Sequence, residues 1–403
     1  MGAHEPAGAA RRGRVLVLVE NLSVPLDRRV WQECRALGDA GYDVAVICPR
    51  GATQDTERHV VIDGIDIHRY RPRPSPGGLL GYVREYGGAL ARMLWRSLRL
   101  GRFDIVHICN PPDLLVLVAL PAKLRGARLI FDQHDLVPEL YLSRFGRGTD
   151  AVYRGLCLLE RLTYRLADVV ISTNESYRRV ALSRGGMRPE RVFVVRNAPD
   201  LARFSEVPAD PELRRGKRYL LCYLGVMGPQ DGVDYALRAL AWLRHHRERA
   251  DWHATFVGSG DSFDAMVDLS RRLGLDDVVS FAGWLQDEDL LRHLASADVC
   301  LAPDPLNALN DVSTMTKIME YMAMSRPIVS FDLRETRVSA GDAALYAPAN
   351  DEAEFARLVA RLLDDPAERE RLGALGRERV RTALSWTRSR ETLLEAYRVA
   401  GER

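Results

Sequence analysis

The sequence predicts an α/β protein built from two Rossmann-like, doubly wound domains facing a central cleft. Three observations carry that prediction. Short apolar runs of strand length alternate with longer helical periodicities along the chain, which is the rhythm of βαβ units and a parallel sheet. The alternation breaks once, between Pro199 and Lys217, where Pro208, Pro211, Gly216 and mixed charge read as a linker. The 403 residues suffice for two cores of ordinary size, each able to fold without a disulfide or metal staple.

The elements follow in order. RVLVLVE at 14–20 is a buried strand, a helix covers about 26–40, and YDVAVIC at 42–48 is the next strand. Asp63-Gly64 marks a hairpin turn. DIVHI (104–108), RLIFD (128–132), DVVIS (168–172) and RVFVV (191–195) continue the strands, with helices near 112–124 and 150–166. After the linker come YLLCYLG (219–225), a helix over about 232–248, HATFVG (253–258), VVSFAG (278–283), DVCLAP (298–303) and PIVSFD (327–332), separated by helices. A last helix over about 386–400 is expected to pack back on the first domain. The domains are therefore 1–200, 201–385 and the terminal helix 386–403.

Composition narrows the class. Apolar residues make up 47% and charged residues 28%, which excludes a disordered chain, a collagen-like repeat and a membrane bundle. The longest uncharged apolar stretch, LLVLVALPA at 114–122, is about half of a membrane span. Arg11 and Arg12 precede an apolar run too short for a signal peptide, so the expected location is cytoplasmic. Six scattered cysteines form no C-x-x-C and read as reduced structural thiols.

The net charge is +2, but residues 1–200 carry +8 and residues 201–403 carry −6. Much of the positive charge lies in 69–102, where eight Arg and one Glu sit among Leu, Tyr, Met and Trp. Such a segment suits the surface of an anionic membrane, or equally a solvated helix face in a chain with 54 Arg and three Lys. No nucleic-acid-binding signature appears, and no nucleic acid partner is expected.

In open α/β sheets ligands bind beyond the carboxyl ends of strands. QHDLVPEL places His134 and Asp135 just after a strand, as ligand contacts or as ordinary loop residues. In LNDVSTMTKIMEYMA, Ser313 and Thr314 are suitable N-caps, and Met315, Ile318, Met319 and Met322 form an apolar stripe at helical spacing. Lys317 and Glu320 fall off that stripe as an i, i+3 pair. A helix N-terminus with hydroxyls and a lysine cradles a diphosphate, and Glu320 would accept hydrogen bonds from ribose hydroxyls; the alternative is a solvated ion pair. Gly225, Gly228 and Gly232 occupy a strand-to-helix turn, and Gly258 with Gly260 another, where backbone can approach a phosphate or sugar.

Neither glycine turn matches the dinucleotide fingerprint, and no P-loop or G-x-S-x-G elbow is present. Asp287 and Asp289 read as helix N-terminal acids, and His245 and His246 as solvated, so no metal site and no cofactor are expected.

These motifs resemble the retaining nucleotide-sugar glycosyltransferases of family 4, which share the GT-B architecture. The resemblance spans almost the whole chain. It rests on DRRVWQECRALGDAGYDVAVICPR, HICNPPDLL, FDQHDLVPEL, RNAPD, YLGVMGPQDGVD and, most specifically, TKIMEYMAMSRPIVSFD. It implies that Glu320 binds the nucleotide ribose, that His134 stands beside the reacting sugar with Asp135 orienting it, and that Gly225 opens the loop meeting donor and acceptor. The pattern departs at the first acid of the family's paired motif, where Val312 stands with Asp311 one residue earlier. It departs again after the glycine strand, where Val226 and Asp231 replace the cations that often clamp the diphosphate.

The activity so implied is transfer of a sugar from a nucleotide diphospho-sugar, UDP- or GDP-linked, to an acceptor hydroxyl, serving cell-surface polysaccharide or glycolipid synthesis. Lys317 and the N–H groups of 313–316 would stabilise the departing diphosphate, which takes the acceptor proton in a front-side displacement. Domain closure would exclude water. Asn21, Asp27, Arg28 and Arg29 are the expected acceptor residues, the acceptor being a sugar or, if 69–102 touches membrane, a lipid-linked saccharide. Lys317→Ala is expected to cut turnover far more than folding. A sugar-nucleotide-binding partner without transferase activity is the alternative, and a nucleotide-sugar epimerase a third.

Overall fold

The computed structural model describes residues 12–51, 54–72, 79–146, 148–204 and 207–402, with backbone only for 79–83. Arg11 and residues 73–78 of the basic segment lie outside it. The chain divides into two compact units, the first formed by Met1–Pro138, Gly148–Arg196 and Thr387–Arg403, the second by Glu139–Arg147 and Asn197–Trp386.

The first unit runs β1 (Arg14–Val19), α1 (Arg28–Asp39), β2 (Asp43–Pro49), β3 (His59–Ile62), β4 (Ile65–Tyr70), α2 (Leu79–Arg99), β5 (Ile105–Cys109), α3 (Leu115–Leu124) and β6 (Arg128–Gln133). It continues through α4 (Val137–Phe145), whose latter part groups with the second unit, then α5 (Ala151–Leu166), β7 (Val169–Ser172), α6 (Glu175–Ser183) and β8 (Val192–Val194). Its sheet has the order β3-β4-β2-β1-β5-β6-β7-β8, parallel except for the edge strand β3. Central strands such as β1 are apolar on both faces because helices cover both sides. The hairpin turns through Asp63 and Gly64, both with positive φ, which matches the right-handed twist of its strands.

The second unit runs β9 (Tyr219–Leu224), α7 (Val233–His246), β10 (Trp252–Val257), α8 (Phe263–Arg272), β11 (Val279–Gly283), α9 (Asp287–Ser296) and β12 (Val299–Ala302). Then come α10 (Thr316–Ala323), β13 (Ile328–Phe331), α11 (Arg334–Ala340), β14 (Ala344–Ala347), α12 (Glu352–Asp364) and α13 (Pro366–Thr382). Its sheet, β11-β10-β9-β12-β13-β14, is parallel throughout. The final helix α14 (Trp386–Gly401) belongs from Thr387 onward to the first unit, where Ser389 donates to the Arg196 carbonyl at 3.0 Å.

Both sheets are doubly wound, and the strand order reverses at β1/β5 in the first and β9/β12 in the second. These switch points are where the loops after neighbouring strands diverge and leave room for a ligand. None of the described helices is long and apolar enough to cross a membrane. The six cysteines are all unpaired, and all but Cys157 are buried.

Candidate active site

The second unit brings the loops after β9, β10 and β12 together at its switch point. Gly225 and Gly258 both have positive φ, and a Cβ on Gly258 would stand 1.9 Å from the Gly225 carbonyl oxygen. Only glycines let these two loops touch. The contact is sealed by hydrogen bonds from Gly225 N to Val257 O at 3.1 Å and from Met227 N to Ser259 O at 3.0 Å. A Cβ on Gly225 would meet the Tyr223 hydroxyl at 3.0 Å and Lys317 Cε at 3.1 Å, so the glycine backbone abuts the Lys317 side chain. At Gly228 the amide donates to Asp231 Oδ2 at 2.8 Å, closing the β9–α7 loop on itself.

Lys317 is turned inward. Its side chain is 8% exposed, and its ammonium pairs with Asp304 Oδ1 at 2.7 Å and lies 3.5 Å from the Tyr223 hydroxyl. Burial opposes its charge, but Asp304, then Tyr223 and Asp231, outweigh that and hold it protonated above the ordinary lysine range. Burial pushes the Asp231 carboxyl up to about 6, against the pull of Lys317 and with Asp304 adding to it. Lys317, expected from the sequence to stabilise a departing diphosphate, is in this structure the counter-ion of a buried carboxylate.

Ser313 and Thr314 do not cap α10. The helix begins at Thr316 with Met315 in the cap position, which has no side-chain oxygen to offer the first-turn N–H groups. Ser313 Oγ instead donates to the Leu309 carbonyl at 2.8 Å, within a 3-10 turn over Asn310–Val312, and the backbone at 313 is extended. Asp311 is likewise diverted, accepting from the Arg334 amide at 3.0 Å at the start of α11. Glu320 sits one turn into α10, partly buried, with Arg203 Nη1 at 3.9 Å. Arg203 is itself held in a bidentate pair by Asp287 at 2.7 and 2.8 Å.

The first unit gathers a second polar cluster at β5 and β6. Arg29 from α1 reaches Asp132 through Nη2 at 2.8 Å and Nε at 3.1 Å, Glu33 at 3.1 Å and the Val195 carbonyl at 2.8 Å. His134 Nε2 lies 2.6 Å from Asp132 Oδ2. His107 places Nε2 3.5 Å from the same oxygen and Nδ1 2.7 Å from the Tyr397 hydroxyl of α14.

Burial acts against every charge in this cluster. Arg29 and His134 overcome it at Asp132, whose carboxyl is held well below its usual range, and Asp132 in turn raises His134. Burial prevails at His107, which is lowered toward the neutral imidazole, and at Glu33, pushed up to about 8. Burial also raises Asp135, against His134.

Asn110 braces the loop after β6. Its Oδ1 accepts from the His134 and Asp135 amides at 2.7 and 3.2 Å, while its Nδ2 donates to Asp113 Oδ1 and the Asp135 carbonyl, both at 2.8 Å.

Two expected acceptor residues are corrected here. Asp27 is the N-cap of α1, accepting from the Val30 amide at 3.1 Å, and Arg29 is consumed by the internal network. Asn21 and Arg28 are exposed. Asp287 lies at the start of α9, as the sequence suggested, and its carboxylate is occupied by Arg203.

Sequence reasoning missed Asp304, Tyr223, Asp132, Glu33, His107 and Tyr397. Two left a signal: Asp304 stands between two prolines just beyond β12, and Asp132 is an acid inside an apolar strand run.

Comparison with known proteins finds family matches in both units. A family model described as glycosyl transferase 4-like domain matches residues 26–198, and one described as glycosyl transferases group 1 matches 218–365. A glycogen synthase of Mycobacterium tuberculosis is 27% identical over 400 residues, covering 94% of this chain and 92% of that protein. A D-inositol 3-phosphate glycosyltransferase of Kineococcus radiotolerans is 28% identical over 424 residues, covering 98% and 92%. Among solved structures, sucrose-phosphate synthase of Thermosynechococcus elongatus superposes with a TM-score of 0.77 at 18% identity, covering 96% of this chain and 98% of that one. Anabaena HepE, solved with UDP and glucose, gives 0.73 at 16% identity, covering 96% and 100%. With one family model on each sheet and the fold shared, the chain belongs to the family 4 glycosyltransferases of GT-B architecture.

Proposed function

We propose that this glycosyltransferase moves a sugar from a nucleoside diphosphate sugar, UDP- or GDP-linked, to an acceptor hydroxyl with retention of anomeric configuration, in the synthesis of a cell-surface polysaccharide or glycolipid. One observation carries the reading: the α10 N-terminus has no side-chain oxygen at its cap position, sends the Lys317 side chain against Gly225, and carries the partly exposed Glu320 one turn on. Helix N–H groups and dipole suit the diphosphate, and Glu320 suits ribose hydroxyls. The UDP complex of the similarly folded HepE supports a nucleotide ligand.

In this reading Lys317 contributes through α10 and Asp304 rather than as a free cation. The departing diphosphate accepts the acceptor proton, and its charge is met by the backbone N–H groups around 315–317 without a resident metal. Asp132 raises His134 and occupies its Nε2, so Nδ1 is the atom proposed to face the transferring sugar. Asn21 and Arg28 are retained as proposed acceptor contacts. A lipid-linked acceptor is supported by α2, which exposes Trp95 and Leu98 and stacks Arg99 at 3.7 Å over the Trp95 ring.

A second reading, donor binding without turnover, is favoured by Val226, which is exposed, and by Asp231, which is folded onto its own loop, so neither replaces a phosphate-clamping cation.

The proposal is tested by proton NMR of the full chain with UDP- and GDP-hexoses and a panel of free and lipid-linked saccharides. The expected result is nucleoside diphosphate release with a product of the donor's own anomeric configuration. An inverted product contradicts retention, and donor binding without product on any acceptor selects the second reading.

A further inference from the structure

The edge hairpin of the first unit holds a cluster that sugar transfer does not use. His59 on β3 and His68 on β4 are directly opposite in the antiparallel register, and Asp66 lies two residues before His68 on the same strand. Side chains alternate along a strand, so all three stand on one face, and it is the solvent face: Ile65 and Ile67 between them are buried. The two-residue turn at Asp63-Gly64 sets this register and so opposes the histidines.

Both rings aim at one carboxylate. His59 Nε2 is 2.6 Å from Asp66 Oδ1, and His68 Nε2 is 2.9 Å from Asp66 Oδ2. The rings stack with centroids 4.6 Å apart and planes within 15°. One ligand atom from each of the three lies within 4.8 Å of the others. Two imidazole nitrogens and a carboxylate oxygen converging from one face form a donor set suited to a borderline divalent ion. Small ring rotations bring the three atoms to the roughly 2.0–2.2 Å that zinc requires of nitrogen and oxygen ligands.

We propose that His59, Asp66 and His68 form a binding site for a divalent transition metal of the zinc class. One ion held by the three ligand atoms clips the edge strand β3 to β4. Water completes its coordination, because the three protein ligands occupy one side and the other faces solvent. The second histidine- and carboxylate-containing group, His107, Cys109 and Asp132, is excluded as an alternative because Arg29 already occupies the cation position beside Asp132.

The test uses the tag-free full chain, stripped with chelator and titrated with Co2+ while its visible d–d absorption is followed, then displaced with Zn2+. The parent is expected to show one saturable band that zinc abolishes. His59→Ala, His68→Ala and Asp66→Asn should each weaken binding at least about tenfold, in line with the sensitivity of metal sites to their supporting groups. The three side chains face solvent, so the variants should keep the parent's circular dichroism spectrum. No saturable band in the parent, or a band unchanged in all three variants, overturns the proposal.

Discussion

Arg29→Met is expected to destabilise the first unit by about 3–5 kcal/mol, the usual cost of removing one partner from a buried ion network. The guanidinium is the cation between Asp132 and Glu33, both fully enclosed by β5, β6 and α1. Without it the charged Asp132 keeps His134 alone in compensation, beside a Glu33 carboxyl that burial already pushes up to about 8, and water cannot replace the lost charge. Arg35 on the same helix is exposed, with Asp63 at 3.5 Å, so Arg35→Met should shift stability by no more than about 0.5 kcal/mol. Hydrogen exchange of the β5 and β6 amides reads the effect unit by unit, which a global melt of a two-unit chain does not. Equal protection in the two variants would contradict the network.

Lys317→Met is the second large effect. From the sequence, a lysine in the first turn of a candidate diphosphate-binding helix reads as a catalytic cation whose loss cuts turnover far more than folding; the buried pair with Asp304 adds a stability cost. In the structure its loss strands Asp304, with Asp231 nearby, in a dry pocket beside Tyr223, and about 3–5 kcal/mol of stability in the second unit should go with it near pH 7. The pH dependence has a definite sign. With the lysine present Asp231 already sits at about 6, above the ordinary carboxyl range, and removing a cation raises it further. The stability deficit is therefore full above that raised value and fades as the pH falls toward the ordinary range near 4, where folded and unfolded chains are both protonated. Lys317→Met combined with Asp304→Asn should recover most of the loss at neutral pH. Thermal melts from pH 4 to pH 8 decide it, and a deficit independent of pH would show that the ammonium acts through packing alone.

These two residues mark where the sequence was legible and where it was not. The strand and helix rhythm, the hairpin at Asp63-Gly64 and the glycine turns at Gly225 and Gly258 are local signals, and the structure follows them. The partners of Arg29 and Lys317 are not local: Asp132 is 103 positions from Arg29, and Asp304 reaches Lys317 across the loop between β12 and α10. Spacing places Lys317 off the apolar stripe, as a diphosphate contact or a solvated ion pair, and gives no sign that Asp304 holds it inward.

The start of α10 was misplaced for a different reason. Asn307 accepts from the Leu309 and Asn310 amides at 2.9 and 2.8 Å, and Ser313 bonds back to Leu309. These short polar side chains build a 3-10 turn where a cap was expected. Similarly, Asp27, placed from the sequence in the first turn of a helix and among the acceptor residues, is the N-cap of α1.

The central claim is that the α10 N-terminus with Glu320 binds the nucleotide of a sugar donor. It is tested most directly by titrating the full chain with UDP, GDP, ADP and TDP while following thermal stability, since a ligand bound by the native state alone raises the midpoint by mass action. The expected result is a saturable shift with UDP or GDP that Glu320→Gln abolishes while leaving the ligand-free midpoint in place. No shift with any nucleotide, or an equal shift in Glu320→Gln, would contradict it.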